Sequence, residues 1–146
     1  MLLGSHSINM DSKGRIAIPT RVREQLNEMC GGRIVVTAHP REFCVIIYPQ
    51  PYWDEILPKI IALPDTHRES SKMKRLMMGH VLSFDLDASG RVSLSSSLRE
   101  YGKLTKKLKL IGQGNKLELW GEEAWNAWMD EPDDGEMPEE MRSLTI

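Results

Sequence analysis

The chain has 146 residues, with 19 Lys and Arg against 21 Asp and Glu and a net charge of −2. That length can bury a core without staples, and the two cysteines, Cys30 and Cys44, form no metal-ligand or redox motif. No apolar run approaches the ~20 residues of a membrane helix, and residues 1–6 lack the regions of a signal peptide, so a cytoplasmic protein is expected.

The charge is unevenly placed. Residues 1–116 carry 18 basic and 11 acidic side chains, while residues 117–146 carry Arg142 alone against 10 acids. The body is therefore +7 and the end −9. This suggests a polyanion-binding body with an acidic end, although charged residues also simply solvate a surface.

Residues 7–11 alternate polar and apolar, as a half-buried strand does. In the turn Asp11-Ser12-Lys13-Gly14-Arg15, Gly14 can take a positive φ and the Asp11 carboxylate can bond the turn backbone. Alternation resumes in Arg15-Ile16-Ala17-Ile18, with Arg15 at the strand entrance. Pro19 and Thr20 open a short helix that Gly31-Gly32 closes, and strands follow at 33–37 and 44–48. Trp53, Ile56, Leu57, Ile60 and Ile61 have helical spacing, with Pro58 expected to kink or shift that helix. Residues 68–78 form another helix, with Met73, Leu76 and Met77 on one side and Arg68, Lys72 and Arg75 on the other.

From residue 79 the pattern returns. Asp87-Ala88-Ser89-Gly90-Arg91-Val92-Ser93-Leu94 repeats residues 11–18 at an offset of 76, and Leu98-Arg99-Glu100 repeats Val22-Arg23-Glu24 at the same offset. Leu119-Trp120-Gly121 followed by Trp125 answers Ile47-Tyr48-Pro49 followed by Trp53 at an offset of 72, so the second copy has lost about four residues. A helix is expected at 95–101, then strands at 107–111 and 117–120 joined by a Gly112-Gln113-Gly114-Asn115 hairpin turn. Beyond Trp128 there is charge without periodicity, and a disordered tail is expected. Two copies of this period suit a duplicated domain forming an internal pseudo-dimer.

A rigid turn can aim an arginine at a phosphate or at O6 and N7 of guanine, which match its planar fork of donors. Lys13, Arg21 and Arg23 reinforce Arg15, whereas the second copy keeps Arg91 and Arg99 but has Ser89 and Ser97 for Lys13 and Arg21. A single Asp–Arg turn more often just braces a hairpin. Recurrence in register with a matching Arg-Glu reverses that preference, with base and phosphate contact both open. His80 near Asp85 and Asp87 has no nucleophile or metal spacing around it, and His6, His39 and His67 show none either, so no catalytic residue, metal or cofactor is expected. Trp53, Trp120, Trp125 and Trp128 read as packing residues rather than base-stacking platforms, and the Arg68, Lys72, Arg75 face as a solvated one.

Three segments carry a family resemblance. Asp11-Ser12-Lys13-Gly14-Arg15 followed by Ile18-Pro19-Thr20-Arg21-Val22-Arg23, then Asp87-Ala88-Ser89-Gly90-Arg91, then Asn115-Lys116-Leu117-Glu118-Leu119-Trp120 resemble the MraZ family and, more broadly, AbrB-type swapped-hairpin DNA-binding domains. The likeness spans roughly residues 1–128. It implies an α+β, mainly β, fold in which two tandem AbrB-like units form an internal pseudo-dimeric β-barrel with short flanking helices. The expected division is 1–50 for the first unit, 51–78 for linking helices, 79–128 for the second unit and 129–146 for the acidic tail.

The same resemblance implies a sequence-specific regulator of transcription of the division and cell-wall gene cluster. Such a protein binds double-stranded DNA at direct repeats in its own promoter and is nucleoid-associated in the cytoplasm. It forms a homo-oligomer, expected as a ring, with no enzymatic activity, small-molecule substrate or membrane partner. Carried over by position, Arg15 is the first DNA-contact candidate, with Lys13, Arg21 and Arg23 in support and Arg91 and Arg99 as counterparts. Asp11, Gly14, Asp87 and Gly90 shape the turns. The alternative is a non-enzymatic protein-binding scaffold or antitoxin-like module on the same fold.

Overall fold

In the computed structural model, which describes residues 1–146, the first unit runs β1 (Ser5–Asn9), β2 (Arg15–Ala17), α1 (Thr20–Cys30), β3 (Arg33–Ala38), β4 (Val45–Pro49) and α2 (Gln50–Ile61). Helix α3 (Arg68–Gly79) leads to the second unit: β5 (Leu82–Asp85), β6 (Arg91–Ser93), α4 (Ser96–Tyr101), β7 (Lys107–Gly112), β8 (Leu117–Gly121) and α5 (Glu122–Asp130). One further turn of helix, α6 (Glu139–Arg142), lies in the exposed end.

Six strands form an antiparallel sheet in the order β1-β7-β8-β4-β3-β5, and β2 and β6 pair as a separate ribbon. Replacing each strand by its repeat counterpart reverses that order onto itself. The two units are thus related by a pseudo-twofold axis passing between β4 and β8 and between β2 and β6. The first strand of each unit is given to the other: β1 pairs with β7, and β5 with β3. Two backbone bonds repeat the exchange, Ile18 N–H to the Gly90 carbonyl at 2.8 Å and Leu94 N–H to the Gly14 carbonyl at 2.9 Å.

The expected closed β-barrel is not formed. β1 and β5 are the two edges of an open sheet. The chain leaves the ladder after β1, where Met10 N–H bonds the Lys106 carbonyl at 2.8 Å and Asp11 N–H turns back to the Arg15 carbonyl at 3.0 Å. β2 and β6 then spend their bonding groups on each other, so no strand remains to join the two edges.

Burial follows this order. Central β4 is buried at every position and β3 at all but the first, and both are almost wholly apolar, while edge strands β1 and β5 alternate exposed and half-buried. The ribbon, α1 and α4 cover one sheet face over an 18-residue core in which Ile16, Val22 and their counterparts Val92 and Leu98 are buried. Each such side chain contributes about 1.5–3 kcal/mol by leaving water. On the other face α2 and α3 pack over Val35, Ile46 and Tyr48, and α5 packs over Ile111 and Trp120. Here too the repeat is kept: Tyr48 meets Trp53 at 5.6 Å between ring centroids, and Trp120 meets Trp125 at 5.5 Å.

Helix α2 runs on through Pro58 to Ile61. The proline falls in the last turn, where the missing N–H costs one ladder bond, and Ala62 N–H still reaches the Pro58 carbonyl at 3.0 Å.

Candidate nucleic-acid interface

The first turn is organised around one carboxylate. Asp11 Oδ1 accepts the N–H groups of Lys13 and Arg15, both at 2.9 Å, and Oδ2 accepts Arg15 Nε at 2.7 Å. Gly14 closes the turn at φ 81°, its N–H bonding the Asp11 carbonyl at 3.1 Å. The Arg15 backbone N–H, then its guanidinium, hold the Asp11 carboxyl below the usual carboxylate range. Arg15 is thereby oriented through Nε, with both Nη groups left free.

The second turn keeps the backbone and changes the arginine. Asp87 Oδ1 accepts Ser89 Oγ at 2.5 Å, Ser89 N–H at 2.9 Å and Gly90 N–H at 3.2 Å. The Ser89 hydroxyl is the main reason its carboxyl also lies low. Arg91 is exposed and outside the turn's hydrogen bonds, which Ser89 and Gly90 make to Asp87 Oδ1 alone.

Behind each turn lies an arginine from the other unit. Arg23 packs on Gly90, and its Nη1 donates to the Ala88 carbonyl while Nη2 reaches Thr20 Oγ1 at 2.8 Å. Its counterpart Arg99 packs on Gly14. Both Nε atoms are buried without a partner. Both arginines are half-buried against the turns, Arg23 held there by two hydrogen bonds and Arg99 by packing alone.

In the ribbon, Arg15 pairs with Ser93 and Ala17 with Arg91. Ile16 and Val92 point into the core, so Arg15, Ala17, Arg91 and Ser93 share the outward face. Arg15 and Arg91 stand diagonally across it, about 7–8 Å apart at the backbone. Lys13 and Arg21 are exposed nearby in sequence, on the first turn and at the start of α1. The ladder adds two cations that the sequence reading did not single out, exposed Lys106 and Lys107, because the Lys106 carbonyl bonds Met10 and Lys107 stands opposite Asn9. The dense run Lys103, Lys106, Lys107, Lys109 was the available signal. At the second turn the matching position holds Arg33, which faces Asp85 at 3.6 Å. The first turn is therefore the more positive of the two.

The family model described as "MraZ protein, putative antitoxin-like" matches residues 1–76 and again residues 77–143. The chain belongs to the MraZ family. A protein of Marinobacter nauticus named Transcriptional regulator MraZ is 50% identical over 99% of this chain and 97% of its own length. Relatives of the same name from Saccharophagus degradans and Halorhodospira halophila are 49% and 42% identical, each over the full length of both chains. The name these MraZ relatives carry is that of a regulator, not of an enzyme. The two MraZ matches meet inside α3, so each holds one turn, one ribbon strand and one half-buried arginine. No helix of this chain is long and apolar enough to cross a membrane.

Proposed function

We propose that this chain is a transcriptional regulator that binds double-stranded DNA with the β2–β6 ribbon and its two turns. The observation that carries the reading is the placement of Arg15 and Arg91 on one outward ribbon face, with Arg15 held by its turn carboxylate and an arginine packed behind each turn. A two-stranded ribbon fits the major groove, and a guanidinium with free Nη groups matches guanine O6 and N7 or a phosphate. Lys13, Arg21, Lys106 and Lys107 supply phosphate contacts around the first turn, which set position rather than sequence. Arg23 and Arg99 act through the turns they pack against. The name of the relatives supports the regulatory role.

One ribbon of three-residue strands makes few contacts. Several ribbons side by side on a homo-oligomeric ring gain through effective concentration, which suits direct repeats in a promoter. From the family resemblance we take that promoter to be the chain's own, ahead of the division and cell-wall genes, in a cytoplasmic, nucleoid-associated protein. The two units are read as AbrB-like swapped hairpins, since each gives its first strand to the other.

The test is fluorescence anisotropy on a duplex from the chain's own upstream region across a salt series. Wild type binds at low salt, with affinity falling steeply as salt rises. Arg15→Ala loses about tenfold or more while its circular dichroism and assembly size are unchanged. Wild type failing to bind any such duplex at low salt overturns the reading and leaves the turns as structural parts of a protein-binding module.

A further inference from the structure

The sheet face opposite the ribbon carries a surface that DNA binding does not use. Between α2, α3 and the β3–β4 turn lies an open cleft of about 320 Å³, with an apolar floor of Ile46, Tyr48, Ile56, Ile60 and Met73. Arg41, Lys59 and Lys116 border it, and none of the three is in an ion pair. A neighbouring hollow past Pro40 and Leu63 adds Lys72 together with one acid, Glu69. The second unit has no counterpart, because α3 occurs once and α5 covers that half alone.

A matching shape exists at the other end of the same chain. Met137, Met141 and Leu144 stand at i, i+4 and i+7, the spacing of one helical face, and all three are exposed. Helix α6 already forms the middle of that stretch. Glu136, Glu139 and Glu140 flank the apolar positions, and only Glu139 is paired, to Arg142 at 3.0 Å. Within one copy the segment leaves the body beside Glu42 and contributes nothing to the cleft. An acidic segment with three bare apolar side chains, of which α6 holds Met141, and an apolar cleft with bare cations are thus both left unpartnered.

We propose that residues 136–146 of a second copy dock in this cleft as a short helix. Met137, Met141 and Leu144 lie on the Ile56 and Met73 floor, and the glutamates face Arg41, Lys59 and Lys116. This is helix-in-groove recognition, with apolar anchors giving affinity and charge fixing direction. Cleft and segment are different parts of the chain, so the contact is head-to-tail and passes from copy to copy.

The test places a photoreactive benzoylphenylalanine at position 141 of the full-length chain and mixes ¹⁵N-labelled with unlabelled protein before irradiation. Crosslinks are expected on peptides bearing Ile56 or Met73, joining labelled to unlabelled copies. Lys59→Glu with Lys116→Glu, checked for folding by circular dichroism, lowers the yield about tenfold. Adding Glu139→Lys with Glu140→Lys restores it. Crosslinks confined to one copy, crosslinks to other surfaces, their absence from the cleft, or a yield indifferent to charge reversal would each overturn the proposal.

Discussion

At the residue scale, Gly14 and Gly90 are required by two separate constraints. Their φ values are 81° and 63°, and a Cβ would stand 2.7 Å from Arg99 Nε at Gly14 and 2.1 Å from Arg23 Cδ at Gly90. Gly31 has φ 64° with nothing within 4 Å, so it carries the backbone constraint alone. Gly14→Ala and Gly90→Ala should each cost about 2–4 kcal/mol, and Gly31→Ala about 1 kcal/mol, in urea denaturation. Equal costs at all three positions would remove the wedge role of the two arginines. Asp11 adds a pH dependence. Its carboxyl is held below the ordinary range, so its contribution is complete above that range and is lost as pH falls through the lowered value. The amide resonances of Lys13 and Arg15, which the carboxylate accepts, should stay fixed from pH 8 to 5 and move only below about 4. These turns were legible because their bonds close within four residues. The wedge role of Arg23 was not, because its partner Ala88 lies 65 residues away.

At the element scale, the ribbon's outward face is narrow, and its smallest residues decide what can approach. Ala17 lies opposite Arg91 and Ser93 opposite Arg15, all away from the core. A carboxylate at either position meets the arginine directly and repels phosphate. Ala17→Glu and Ser93→Glu should therefore weaken DNA binding about tenfold or more with the melting temperature nearly unchanged. Unaltered anisotropy titrations for both would show that this face does not meet DNA. Strand identities could be read from alternation, as in the polar–apolar pattern over residues 7–11. Strand partners could not, since alternation says which face is buried and nothing about which neighbour supplies the next ladder. That is why Lys107 beside Asn9, and with it part of the positive surface, came only from the fold.

At the scale of the whole molecule, the repeat announced a pseudo-dimer, and the sheet order bears the internal symmetry out. The closed barrel did not follow, because whether β1 and β5 meet depends on where the chain leaves the ladder at Met10, a single carbonyl contact with Lys106. Symmetry in the backbone also coexists with asymmetry in charge: Asp85 answers Arg33 in one place where Asn9 leaves Lys107 unanswered in the other. Since each unit completes its sheet with a strand of the other, urea should unfold the chain in one transition, followed alike by tryptophan fluorescence and circular dichroism. Two separate transitions would mean that the halves hold together independently.

The same exchange of strands bears on how the chain is made. Synthesis proceeds at about 5–20 residues per second, so β3 emerges from the ribosome seconds before the β5 that must cover its edge. Until then an apolar strand stands open, with β1 waiting longer still for β7. The native state closes only when the nascent chain is almost finished, and the interval before closure is when a chaperone, or a neighbouring polysome's product, can take the place of the missing strand.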